Sequence, residues 1–165
     1  MTINYRLGPF GFLAHPDLFA ESGHNSSGNY GILYQQVAVR WVQEDIRNFG
    51  GNPYQITVGG QSAGSASALD AMWCPLAKGL VHGVIYESGA RGTHDLETVS
   101  VATSHRTKAA AESQGANFFK ALSASSIAQL RTVPMKTLLK YDSLMDTVCE
   151  NTRFANLSSF MELPL

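Results

Sequence analysis

The stretch VGGQSAGSASALD, Val58 to Asp70, sets one serine between two glycines straight after an apolar run. The preceding Gln55-Ile56-Thr57-Val58 is β-branched and reads as a short buried strand. Ala63 to Met72 or Trp73 is alanine-rich and reads as a helix that stops before Pro75. A G-x-S-x-G pattern between strand and helix predicts a sharp turn that strains the serine backbone and exposes its hydroxyl at the carboxyl end of a sheet. Gly60 and Gly64, two residues before and after Ser62, are expected to remove side chains that would clash across that turn. The helix N-terminus offers unpaired N–H groups to a developing oxyanion, and the amide of Ala63 is the expected donor. A lone serine in a Gly-rich turn is more often a turn residue. The flanking strand and helix favour a nucleophile.

Outward from the turn, Gly83 to Ser88 (GVIYES) reads as the next strand, and Thr2 to Arg6 as an earlier one stopped by Gly8-Pro9. Residues 8 to 29 are rich in Gly, Pro, Asn, Ser and His and read as a long surface loop. From Tyr30 to Phe49 the period becomes helical. Leu33, Val37 and Trp41 recur every fourth residue, and Val42, Ile46 and Phe49 continue a core stripe, with Asn29 as cap and Gly50-Gly51 as stop. Trp41 is read as core rather than as a substrate platform, and Arg40 with Glu44 as a surface pair. Thr107 to Leu122, Ser125 to Val133 and a piece starting at Pro134 read as helices. Strand, helix, strand, helix, strand through residue 88 is the order of βαβ units on a parallel sheet.

The chain has 165 residues, 44% apolar and 15% charged, with formal net charge -1, which is one ordinary globular domain. This balance argues against intrinsic disorder and leaves no electrostatic footprint for nucleic acid. No apolar run approaches the roughly 20 residues of a membrane span. Cys74 and Cys149 match no metal-ligand spacing, and two thiols are favoured over a bridge. Asn25-Ser26-Ser27 and Asn156-Leu157-Ser158 are glycosylation sequons, usable only after secretion. Met1 is followed at once by TINYRLG, which reads as mid-strand, without a signal-peptide core, so the chain reads as cut.

The blocks INYRLGPFGFLA, GNYGILYQQVAVRWVQEDIRNFGGNP, GGQSAGSASALD and HGVIYESGARG stand in one order. Together they resemble the type-B carboxylesterase/lipase family of α/β-hydrolases, which includes the cholinesterases, with fungal secreted esterases nearest in character. The resemblance covers nearly the whole chain. It implies a partial α/β-hydrolase fold over residues 1–165: a parallel sheet segment with flanking helices and a nucleophile elbow, lacking both ends of the family domain. It also implies hydrolysis of small-molecule carboxylic esters through an acyl-enzyme, without cofactor or metal.

The resemblance carries Ser62 over as nucleophile and Ala63 as oxyanion donor, with Gly60, Gln61 and Gly64 in the turn. Ser88, in ESG, matches a buried residue near the family's acid and base. The family's further oxyanion glycines, triad glutamate and histidine match no residue of this chain. Local substitutes are His82, His94 and His105 with Glu87, Asp95 and Glu97; His94 beside Asp95 reads as a solvated pair, and a rebuilt triad is not expected. Tyr34 stands where relatives carry an aspartate that pairs with the arginine matching Arg6. A buried unpaired arginine costs about 3–5 kcal/mol; the alternative is that Arg6 reaches solvent. Residues 23 to 29 border the family's active-site gorge or form a solvated loop. Missing sheet neighbours predict marginal stability and apolar exposure.

Three readings stand beside one another. They are an esterase lineage represented by a middle section, a catalytically dead relic or binding module, and a piece completed by another chain. Secretion is favoured for an intact protein.

Overall fold

The computed structural model describes residues 1–89 and 108–141. Helices α1 (Gly8–Phe12), α2 (Pro16–Glu21) and α3 (Tyr30–Asp45) come first, and α3 runs into a 3-10 turn at Ile46–Phe49. Strand β1 (Thr57–Gln61), helix α4 (Ala63–Trp73), a short 3-10 turn (Pro75–Ala77) and strand β2 (Gly83–Glu87) follow. Three further helices are α5 (Lys108–Ala121), α6 (Ile127–Thr132) and α7 (Met135–Lys140). The chain divides into one unit of Met1–Tyr5 with Ile32–Gly92, and a second of Arg6–Gly31 with Thr93–Leu165.

The first unit is a β-α-β element. β1 and β2 pair in parallel, in register from Thr57↔Gly83 to Gln61↔Glu87, with α4 as the crossover. Parallel strands need such a connection, because no hairpin can reverse the chain between them. Ala66, Ala68 and Ala71 of α4 are buried, together with Ile32 and Val39 of α3 and Ile56. Small alanines let α4 approach closely, and Gln35 of α3 donates from Nε2 to Ser67 Oγ at 3.1 Å.

The second unit buries Phe12, Leu13, Ala14, Ala111, Phe118, Phe119, Ile127 and Leu130. Its surface ties α2 to α6 through a two-pronged pair, Arg131 on Glu21, with Nη1 to Oε2 at 2.9 Å. That guanidinium holds the Glu21 carboxyl below the usual carboxylate range.

Several sequence expectations change. Residues 8 to 29 are not one loop. Pro9 in the first turn of α1, and Pro16 in α2 preceded by the cap His15 and followed by Asp17, are helix-start signals that the Gly/Pro content obscured. Thr2 to Arg6 joins no ladder; among the described residues the sheet has two strands, because a short terminal segment forms a strand only where an edge pairs with it.

β1 is not buried either: Thr57, Gly59 and Gln61 are exposed and Val58 and Gly60 half-buried, since few elements cover its faces. The predicted stripe divides: Leu33, Val37 and Trp41 of α3 and Phe49 of the turn after it are exposed, whereas Val42 and Ile46 are half-buried. The buried set is one residue out of phase (Ile32, Gln35, Gln36, Val39): Ile32 and Val39 stand two turns apart with buried glutamines between them, so the covered face is the less apolar-looking one in sequence. Asn29 does not cap α3 with its Oδ1, which is buried without a hydrogen-bond partner among the described residues.

Arg40 and Glu44 are exposed and no ion pair joins them among the described residues. Arg6 is exposed, as is Tyr34, so the cost of a buried unpaired guanidinium does not arise. The α3 stop at Gly50, with φ 79°, and the later helices fall where the sequence puts them.

Candidate active site

Where β1 ends, the chain makes one step into α4, and that step is Ser62. Its φ of 54° and ψ of -116° lie where only glycine is unstrained. Three backbone hydrogen bonds hold it there: its N–H donates to the Glu87 carbonyl at 2.9 Å, and its own carbonyl accepts from Ser65 at 2.9 Å and Ala66 at 3.1 Å. The side chain makes no capping bond to the helix it precedes, and the residue is exposed. A serine at this position ordinarily spends its oxygen on a cap. Here the side chain makes no such bond, while the backbone is tied on both sides.

Ala63 is the first residue of α4 and is exposed. The first N–H groups of a helix have no partner within it, and they carry the positive end of its dipole. The strand–turn–helix thus sets an exposed hydroxyl beside an unsatisfied donor, an arrangement suited to stabilising an oxyanion formed by attack of that hydroxyl.

The glycines divide their work unequally. A Cβ on Gly60 would stand 2.4 Å from both the carbonyl carbon and the oxygen of Gly64. A Cβ on Gly64 itself meets nothing within 4 Å. The clash expected on both sides of the turn exists on one side: the helix start lies against the strand residue, and the helix residue's own hydrogen faces open space. Gln61 closes β1, exposed, opposite Glu87.

Ser88 is exposed rather than buried, with φ 53°, because β2 bends at the level where β1 does. Gly89 was not singled out from the sequence, yet a Cβ there would stand 2.5 Å from the Ser62 carbonyl oxygen. The glycine that follows a strand-ending serine was the available signal.

His82 is not placed to activate Ser62. It precedes β2, and its Nδ1 accepts from the Ile56 amide at 3.3 Å, at the amino end of the sheet. Five strand residues at about 3.3 Å each put the serine roughly 16 Å away, at the other end. Glu87 contributes its carbonyl to the Ser62 amide. His94, Asp95, Glu97 and His105 lie outside the described residues, as do Cys149 and Asn156; Cys74 is a free thiol and Asn25 is exposed.

Among the described residues no cluster of His, Cys, Asp or Glu could hold a metal, and no helix is long and apolar enough to cross a membrane. A groove of about 570 Å³ lies along β1 between Ile3, Val39, Val42 and Gly64, and Ser62 is outside its lining. On α4, burial pushes the Asp70 carboxyl up to about 6.

A parallel β-α-β element whose crossover helix starts at an exposed, positive-φ serine has the architecture of an α/β-hydrolase. Solved esterases share it. A thermophilic PNB esterase superposes with a TM-score of 0.76 at 37% identity, covering 98% of this chain and 30% of its own. The Geobacillus stearothermophilus carboxylesterase EST55 gives 0.75 at 30% identity, covering 99% and 31%.

The chain belongs to the carboxylesterase family, whose model matches residues 1–161. In sequence it is similar to the para-nitrobenzyl esterase of Bacillus subtilis strain 168, at 42% identity over 142 residues, covering 85% of this chain and 26% of that protein. The chain therefore spans between a quarter and a third of the length of these relatives.

Proposed function

We propose that the protein is a carboxylic ester hydrolase with Ser62 as its nucleophile. Ser62 Oγ attacks the ester carbonyl, and the carbonyl oxygen takes up the negative charge facing the Ala63 N–H. Collapse breaks the carbon–oxygen bond to the alcohol, which leaves with a proton, and water then cleaves the acyl-serine. The observation that carries this reading is the exposed, strained serine at the β1–α4 turn, tied by its backbone and not by its side chain.

In this reading residues 1–165 are part of a carboxylesterase type-B domain, and its remainder supplies the histidine, the acid and the second oxyanion donor. The substrate is a small-molecule ester. Gln61, where cholinesterases carry glutamate, supports placing the chain with fungal-type, lipase-like members of the family.

The test is hydrolysis of p-nitrophenyl acetate and covalent labelling by a fluorophosphonate, comparing the full-length protein with its Ser62→Ala variant. Turnover and labelling at Ser62 are expected, with kcat/KM lowered about 10³-fold or more in the variant. A Ser62→Ala protein as active as the parent would overturn the assignment of Ser62, and a full-length parent with neither turnover nor labelling would leave a non-catalytic binding module.

A further inference from the structure

Resting on that reading of Ser62, we propose that Gly89 is a positioning residue for the nucleophile: the Ser88–Gly89 bend is the back-stop against which the Ser62 turn is held. Gly89 touches neither substrate nor reacting atoms. Its part is played through the backbone of Ser62.

The geometry has two independent components. The first is steric. A Cβ on Gly89 would stand 2.5 Å from the Ser62 carbonyl oxygen, 2.8 Å from its Cα and 2.9 Å from its carbonyl carbon. All three are backbone atoms, so no side chain can swing aside to make room. Only a bare α-carbon lets the β2 bend lie flat against the serine.

The second is the matching of two bends. Gln61 pairs with Glu87, and the Ser62 N–H continues that ladder to the Glu87 carbonyl at 2.9 Å. Ser62 and Ser88 are then the next residues of adjacent parallel strands, and both turn through positive φ, 54° and 53°. The second turn delivers Gly89 onto the first. A residue in a sparsely populated conformation persists only where its surroundings over-determine it. For Ser62 those surroundings are the start of α4, which Gly60 admits, and the end of β2, which Gly89 admits. Together they fix where Oγ stands relative to the Ala63 N–H.

The experiment uses the full-length protein in four forms: parent, Gly89→Ala, Ser62→Gly and the double variant. Urea midpoints are measured on all four, and kcat, KM and the fluorophosphonate rate on the two that keep serine, per folded molecule. The expected result for Gly89→Ala is a fall of about 10²-fold in kcat and in labelling rate, with KM within threefold of the parent, because misplacing a reacting atom slows chemistry without weakening binding.

Glycine at 62 can yield where serine cannot, so Ser62→Gly should remove at least half of the midpoint loss that Gly89→Ala causes. If Gly89→Ala does not fold, a folded double variant supports the proposal and an unfolded one overturns it. Labelling of Gly89→Ala at the parent rate, or midpoint losses that simply add, also overturns it. A parent protein that is never labelled defeats the nucleophile assignment instead, and the midpoint cycle still decides whether Gly89 acts on residue 62.

Discussion

The Ser62 amide donates to the Glu87 carbonyl at 2.9 Å, so the last hydrogen bond of the sheet is made by the residue at which the chain leaves it. That bond holds the serine in the neighbouring strand's register while its φ of 54° throws the chain into α4. Non-glycine residues in such conformations cost of order 1–3 kcal/mol. Ser62→Gly should therefore stabilise the fold by about 1 kcal/mol, and Ser62→Ala should leave it nearly unchanged. Urea denaturation followed by circular dichroism reads both; a destabilised Ser62→Gly would contradict the strain.

Gly60 and Gly64 should respond in opposite ways. A methyl at 60 meets Gly64 backbone atoms at 2.4 Å, and forcing it in should cost about 1–3 kcal/mol, as overpacked sites do. A methyl at 64 meets open space, and alanine is the better helix former by about 1 kcal/mol. Thermal melts should rank Gly64→Ala at or above the parent and Gly60→Ala clearly below it. Equal losses at the two positions would show that the turn is symmetrical after all.

Asp70 gives the fold a pH dependence of predictable sign. Burial raises its carboxyl from 3.8 to about 6, so between those values the folded chain holds the proton more tightly than the unfolded chain does. Its contribution is then most favourable below pH 4 and is lost as pH rises through 6. Because the residue is half-exposed, solvent screening leaves about 1–2 kcal/mol of the effect. Asp70→Asn should stabilise the protein at pH 7 by about that amount and have little effect at pH 4. Stability curves of the two proteins that run parallel from pH 4 to 7 would exclude this role.

In the second unit, His15 does two things at once. Its Nδ1 accepts from the Asp17 amide at 3.1 Å, capping α2, and its ring stacks on Phe119 with centroids 3.9 Å apart and planes 8° from parallel. Loss of a cap costs about 1 kcal/mol and an aromatic pair is worth about 0.5–1.5. His15→Ala should therefore lose about 1.5–2.5 kcal/mol, and His15→Asn, which can still cap, about half of that. Differential scanning calorimetry should place the melting temperatures in the order parent, Asn, Ala.

The candidate site was legible from the sequence because its signals are local. A β-branched run, Gly60, Ser62, Gly64 and an alanine-rich segment fall within about twenty residues, and each acts on its immediate neighbours. Gly89 left one local signal, a glycine straight after the strand-ending serine, but what it does depends on β2 being laid beside β1. Ser88 matches a residue buried in the family, and in this chain it is exposed at a bend shared between strands. On α3 the period was legible and the buried face was not, since Leu33-Val37-Trp41 and Ile32-Gln36-Val39 are both acceptable helical stripes.

By itself the sequence determined the strand–turn–helix at Ser62, the place of α3 to α6 to within a few residues, the start of α7 and the family to which the chain belongs. Propensity, capping and ordered motifs are properties of short stretches, and they survive without knowledge of the partners. The tertiary structure alone decided which face of α3 is covered, that Gly60 and not Gly64 is sterically required, and that Gly89 lies against the serine. Those are contacts between segments far apart in the chain, and no local pattern specifies the distance at which two backbones meet.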